Sequence, residues 1–124
     1  MTHKKINRFE DMTVWQDSQE LAVSIYNVTK SFPKDELYSL TNQIRRSASS
    51  VSANIAEGFG RGTNKDKSHF YRIALGSLFE TKNFIYLCSR LGYTDDITTD
   101  KTVKDIDGIH KQITAILRYF DNES

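Results

Sequence analysis

Five polar residues that can exchange protons or form hydrogen bonds recur between positions 43 and 57, at steps of three and four. They are Gln43, Arg46, Ser50, Asn54 and Glu57. Such steps place side chains on one side of an α-helix. The residues between them are mostly serine and alanine, whose small side chains let another backbone come close. We therefore predict that this polar stripe forms a subunit interface, and a polar layer within one chain is the alternative.

The stripe offers one route to catalysis, through carboxylates brought together inside a helical bundle. Arg46, Glu57 and Glu80 would have to meet there to perform acid–base chemistry or to hold two metal ions. The di-iron arrangement requires Glu-x-x-His pairs, and the sequence has none. Because no nucleophile or cofactor fingerprint accompanies these residues, we predict a protein without catalytic residues and without a cofactor.

The histidines and the single cysteine do not follow a metal-binding pattern. His3, His69 and His110 have no ligand spacing with one another or with Cys88, whereas a zinc site needs three or four ligands. Ser68 and His69 are adjacent, and adjacent residues of a helix point about 100° apart, so they do not form a nucleophile–base pair. We predict no metal site, and we place His110 at the edge of the core.

The segment GFGRG at positions 58–62 has the glycine content of a phosphate-binding loop. It lacks the strand that precedes such a loop and the Lys-Ser/Thr pair that follows it. Capping of a helix is the better interpretation, and we predict a left-handed C-cap at Gly58.

Four amphipathic patterns must position these side chains. Pro33 and the glycines separate stretches whose apolar residues recur at helical spacing. The predicted helices cover approximately residues 12–31, 36–58, 64–91 and 99–121. Because short connections favour antiparallel neighbours, we predict one all-α domain over residues 1–124, an up-down-up-down antiparallel four-helix bundle.

The helix ends carry recognisable capping signals. Asp11 is the predicted N-cap of the first helix, and Asp35 or Glu36 suits the start of the second. Gly92 is expected to cap the end of the third helix. Gly108 lies inside the fourth helix, where glycine costs about 1 kcal/mol against alanine, so we expect a neighbour to approach closely there.

The apolar residues of the second and third predicted helices recur at regular spacing. The buried face predicted for the second helix consists of Leu37, Leu40, Ile44, Ala48, Val51 and Ile55. The heptad-like pattern of the third helix consists of Phe70, Ile73, Ala74, Ser77, Phe84, Leu87 and Leu91. Both sets follow the spacing that keeps side chains on one helical face.

Basic residues gather at one end of this topology, although the formal net charge of the whole chain is only +1. The candidates for contact with nucleic acid are Lys4, Lys5, Arg61, Lys65, Lys67 and Arg72. They could grip a phosphate backbone, so RNA or DNA binding is the alternative function. An ordinary solvated surface is the simpler interpretation, since most charge clusters are of that kind.

The cysteine content and the lengths of the apolar runs predict the compartment of the protein. One cysteine cannot form a disulfide within the chain, which is typical of a reducing cytoplasm. The N-terminus lacks the apolar stretch of a signal peptide, and no run approaches the ~20 apolar residues of a membrane span. We predict a cytoplasmic protein with no membrane partner.

Three segments of the sequence carry a resemblance to a known family. They are FEDMTVWQDSQELAVSIY, FPKDELYSLTNQIRRSASSVSANIAEGFGR and FYRIALGSLFET. They resemble the bacterial four-helix-bundle proteins of the 23S rRNA-intervening-sequence family. The resemblance covers Phe9 to about Tyr93, and its most specific part is QIRRSASSVSANIAEG, which combines polar and small residues in a fixed order.

The resemblance implies a protein that assembles with itself into a pentameric ring and has no catalytic activity. Relatives of that family include the accessory protein of diversity-generating retroelements, which is strongly basic and works with nucleic acid. The near-neutral charge of this chain departs from that branch. We therefore predict an oligomeric binding or scaffold protein whose further partner is a protein or, as the alternative, RNA or DNA.

Overall fold

The computed structural model describes residues 5–123, which form four α-helices and no strand. The helices are α1 (Thr13–Thr29), α2 (Asn42–Phe59), α3 (Asn64–Arg90) and α4 (Asp96–Glu123). A 3-10 turn at Phe9–Asp11 precedes α1, and a 3-10 turn at Lys34–Glu36 followed by a π-helical turn at Leu37–Thr41 precedes α2. Within residues 5–123, every helix is too short or too polar to cross a membrane.

The start of α2 differs from the prediction. The α-helix begins at Asn42, because Ser39 has φ −129° and ψ −106° and interrupts regular helical geometry. Glu36 holds this segment in place by accepting hydrogen bonds from the Ser39 hydroxyl at 2.9 Å and the Tyr93 hydroxyl at 2.8 Å. Leu37 consequently lies outside the core with 44 % of its surface exposed, which corrects the predicted buried face of this helix.

The starts of α1 and α4 also differ from the expectations. Asp11 belongs to the preceding 3-10 turn, and the N-cap of α1 is Met12, which makes no side-chain capping bond. In α4 the carboxylate of Asp95 accepts a hydrogen bond from the backbone N–H of Thr98 at 2.7 Å. With this cap α4 begins at Asp96, three residues before the predicted start at Thr99.

Of the two glycines predicted to cap helix ends, Gly92 does so and Gly58 does not. The predicted left-handed cap at Gly58 is wrong, because α2 continues through Gly58 to Phe59 and is capped by Gly60 at φ −80°. The predicted cap at Gly92 is confirmed by its φ of +80°. The backbone N–H of Tyr93 donates across this turn to the carbonyl of Cys88 at 2.9 Å, which satisfies an otherwise unpaired helix end.

Close approach between helices occurs at Gly58 and not at Gly108. A Cβ atom at Gly108 would have no neighbour within 4 Å, so the expectation of a close contact there is wrong. A Cβ atom at Gly58 would lie 3.2 Å from the Phe70 Cβ, 3.3 Å from the Lys67 carbonyl oxygen and 3.3 Å from the Tyr71 Cε2. Gly58 therefore allows the end of α2 to contact the start of α3.

The core draws on all four helices. Its most deeply buried apolar residues include Leu21, Ile25, Ile44, Val51, Ile55, Ala74, Leu78, Ile85, Ile106, Ile109 and Ile113. Each helix also contacts two others through side-chain hydrogen bonds. Four such pairs, one for each contact, are Gln19–Ser52, Ser47–Thr81, Lys82–Asp107 and Asp17–Gln112, at 2.7–2.9 Å.

Candidate functional site

The polar stripe of α2 lies at the border between α2 and α3. Gln43, Arg46 and Glu57 are exposed, while Ser50 and Asn54 are half-buried. The Asn54 side-chain amide donates to the Ser50 hydroxyl at 3.0 Å and to the Ser50 carbonyl oxygen at 2.8 Å. The middle of the stripe is thus held by contacts within the chain, and its ends face solvent.

The charged members of the stripe do not meet each other within the chain. Glu57 forms an ion pair with Arg61, one helical turn later. Arg46 and Glu80 are exposed, and the side chain of neither has an ion-pair or hydrogen-bond partner among the described residues. Arg46, Glu57 and Glu80 therefore do not form the buried acid–base cluster considered from the sequence.

The apolar pattern predicted for the third helix forms a second stripe, which is mostly not the buried side of that helix. The buried side of α3 consists of Ser68, Tyr71, Ala74, Leu78, Thr81, Ile85 and Cys88. The predicted heptad-like pattern lies mainly outside this set, since Ile73, Leu87 and Leu91 are 38 %, 41 % and 49 % exposed. At about 100° per residue, these residues and Phe84 lie roughly 100° around the helix from the buried side. The sequence of α3 contains two interleaved heptad patterns, one buried and one exposed, and this was the signal that could have revealed the exposed one.

The two stripes form one continuous surface. The Ser77 hydroxyl of α3 donates to the Ser50 hydroxyl of α2 at 2.9 Å and joins them directly. We call this surface the α2–α3 face. Its residues are Gln43, Arg46, Ser50, Asn54 and Glu57 of α2, Ile73, Ser77, Glu80, Phe84 and Leu87 of α3, and Leu91, which directly follows α3. It combines exposed apolar side chains with two charged side chains, Arg46 and Glu80, that lack partners in the described part of the chain, while Glu57 pairs with Arg61.

Among the predicted nucleic-acid contacts, the two arginines have partners within the chain. Lys4 lies outside the described residues, and Lys5 and Lys65 are exposed. Arg61 pairs with Glu57 and lies 4.5 Å from the centre of the Phe70 ring. Arg72 pairs with Asp121 at 2.8 Å. These ion pairs reduce the local positive charge. Contact of this end with nucleic acid stays a prediction.

Lys67, the remaining candidate, has a structural role. Its Nζ donates to the Phe59 carbonyl oxygen at 2.7 Å and makes a longer contact of 3.5 Å with that of Gly58. Cations at a helix C-terminus satisfy unpaired carbonyl groups and favour the helix dipole. Lys67 therefore stabilises the end of α2.

Among the described residues, no three His, Cys, Asp or Glu side chains gather closely enough to hold a metal ion. His110 is half-buried and lies edge-on to Phe79, with 5.0 Å between ring centres, while His69 is exposed. Cys88 is buried, and desolvation raises the pKa of its thiol to about 11. A thiol with so high a pKa is a poor nucleophile at neutral pH.

These features define an all-α, four-helix protein with a mixed polar and apolar face on α2 and α3. The chain belongs to the family of 23S rRNA-intervening sequence proteins, whose model matches residues 10–115, so the resemblance noted from the sequence is confirmed. The family's name does not specify a biochemical activity.

A solved structure supports the same assignment. The chain is similar to a protein of unknown function from the S23 ribosomal protein family of Bacteroides thetaiotaomicron VPI-5482. The two share 28 % sequence identity with a TM-score of 0.79, over 85 % of this chain and 98 % of the other. A search of curated proteins gave no match.

Proposed function

We propose that this protein is a non-catalytic, self-associating scaffold of the cytoplasm, whose subunits bind one another through the α2–α3 face. The proposed subunit is an antiparallel, up-down-up-down bundle. Contact pairs support that topology, because Ser47 of α2 contacts Thr81 of α3 while Ser50 contacts Ser77. The residue number rises along one helix as it falls along the other.

The observation that carries the proposal is the exposed apolar stripe of α3. Ile73, Leu87 and Leu91 are exposed and recur at heptad spacing with Phe84, which is half-buried against the core at the edge of this stripe. A stripe of this kind is the pattern by which helices of different subunits associate. Burying one leucine side chain contributes about 1.5–3 kcal/mol.

Two charged residues of the α2–α3 face also support the proposal. Arg46 and Glu80 lie on the same face and lack partners among the described residues, so each is available to pair with a neighbouring subunit. Charged pairs of this kind fix the register of an interface more than they strengthen it. The proposed ring of five subunits rests on the family resemblance, and such a ring requires two different complementary patches on each subunit. We assign the α2 stripe of one subunit and the α3 stripe of the next as those patches.

Sedimentation velocity at micromolar concentration tests the proposal. The unaltered chain should sediment as an oligomer. Leu87→Asp should weaken association by about 2 kcal/mol or more per interface, which is roughly 30-fold in the dissociation constant. Val23→Asp is the matched control, because Val23 is 54 % exposed on α1, away from the α2–α3 face. A monomeric parent, or equal effects of the two variants, would contradict the proposal.

Charge reversal gives a second readout of the same face. Arg46→Glu is expected to weaken association, and adding Glu80→Arg is expected to restore it if the two residues pair between subunits. Lack of restoration would remove this pair from the proposed interface while leaving the Leu87 test to judge the face as a whole.

A further inference from the structure

A pocket opens where the N-terminal segment meets the end of α2, the start of α3 and the end of α4. We call it the Tyr71 pocket. Its apolar walls include Ile6, Phe59, Ile116 and Phe120, and its volume is about 580 Å³. Small-molecule sites typically have volumes of 300–1,000 Å³, mostly apolar walls and a few polar groups. The dimensions and the walls of this pocket fit that class.

The first polar group of the pocket is a buried hydrogen-bond donor with a poor acceptor. Only 1 % of the surface of Tyr71 is exposed. Its hydroxyl contacts the Met12 sulfur at 3.8 Å, and a thioether is a weak acceptor. Burial raises the pKa of Tyr71 to about 12, so the phenol keeps its proton at neutral pH. A ligand oxygen would be a better partner than the thioether.

The second polar group is Lys67, one helical turn before Tyr71 on the same side of α3. Its ammonium group has three N–H bonds, and its contacts with the carbonyl groups of Phe59 and Gly58 use at most two of them. The remaining N–H bond can serve a ligand without loss of the existing contacts.

The charge of the pocket selects the ligand. The described residues that line it include one cation and no carboxylate. The groove between α1 and α4 is different, because Asp17, Glu20 and Asp105 line it together with two lysines. Apolar walls, a single positive charge and a buried donor together favour a ligand with an apolar body and one anionic acceptor.

We propose that the Tyr71 pocket binds a small amphipathic carboxylate, an aliphatic or aromatic acid. Its carboxylate accepts hydrogen bonds from Lys67 and Tyr71, and its apolar body contacts Ile116 and Phe120. This inference does not depend on self-association through the α2–α3 face.

Titration calorimetry on the full chain tests the inference with three ligands of equal chain length. Octanoate is expected to bind saturably. 1-Octanol, which has no charge, is expected to bind at least tenfold more weakly, because hydrogen bonds to charged groups are the stronger ones. Octyltrimethylammonium has the same charge sign as Lys67 and is expected not to bind. Absence of saturable octanoate binding would overturn the inference, and so would equal affinity for the cationic analogue.

Three variants locate the binding and one serves as a control. Lys67→Met and Tyr71→Phe should each weaken octanoate binding roughly tenfold. Lys65→Met removes an exposed charge two residues away on the same helix and should leave affinity unchanged. Ala115→Phe changes an exposed residue at the pocket and should block binding without disturbing the core. Equal effects of the two lysine variants, or unchanged affinity after Ala115→Phe, would refute the assignment.

Discussion

Replacing Gly58 by alanine is expected to destabilise the protein, although alanine is the better helix former. The new Cβ atom would lie 3.2–3.3 Å from three atoms of α3, whereas carbon atoms in good contact are about 3.5–4.0 Å apart. Two of those atoms, the Phe70 Cβ and the Lys67 carbonyl oxygen, cannot move without moving the helix itself. Overpacking of this kind costs roughly 1–3 kcal/mol. Replacing glycine by alanine inside a helix otherwise stabilises it by about 0.5–1 kcal/mol, so the expected net loss is about 0.5–2 kcal/mol.

Gly108→Ala is the matched control for this substitution. Gly108 lies inside α4 and has open space where its Cβ atom would stand. We expect Gly108→Ala to raise the free energy of unfolding by about 0.5–1 kcal/mol. Urea denaturation at one fixed protein concentration measures both changes, since self-association would couple stability to concentration. If the two alanines changed stability by the same amount in the same direction, the argument from close packing at Gly58 would be refuted.

Three further predictions concern caps and titration. Thr63→Ala removes the hydroxyl that accepts from the Asp66 N–H at 3.1 Å, so urea denaturation should show a loss of about 1 kcal/mol; an unchanged midpoint would contradict the capping role. Burial raises the pKa of Tyr71 from 10.0 to about 12 on folding. Above pH 10 the unfolded chain loses the phenol proton while the folded chain keeps it, so the free energy of unfolding falls by about 1.4 kcal/mol per pH unit as the pH rises towards 12. Below pH 10 there is no such loss. Tyr71→Phe should remove that part of the alkaline slope, and parallel curves for the two proteins would disprove it. Cys88 is buried with a raised pKa, so iodoacetamide at neutral pH should label it only as fast as the protein opens; labelling at the rate of a free thiol would show the burial to be wrong.

The polar stripe illustrates how far the sequence predicts the candidate site. Periodicity placed Gln43, Arg46, Ser50, Asn54 and Glu57 on one side of a helix, and the structure places them along one border of α2. Periodicity did not reveal that Ser50 bonds to Ser77 while Arg46 stays without a partner among the described residues. Such pairings depend on which residue of α3 lies opposite each position, and helical spacing within α2 contains no information about that alignment.

The Tyr71 pocket had no signal in the sequence. Tyr71 and Lys67 are near each other in the chain, but Ile6 and Ile116 come from distant segments. A cavity is the space left between elements, so its existence depends on how their ends are arranged and not on any local pattern.

By itself, the sequence determined the helical class and much of the core, because apolar spacing of three and four residues is a local property of the chain. It also determined the cap at Gly92, where φ of +80° favours glycine over any other residue. Only the tertiary structure decided which stripe of α3 is buried. Leu78 and Ile85 lie in the core and Leu87 and Leu91 face outward, although both pairs belong to heptad patterns. The choice between them is made by contacts with α2 and α4, whose energies depend on residues far apart in the chain.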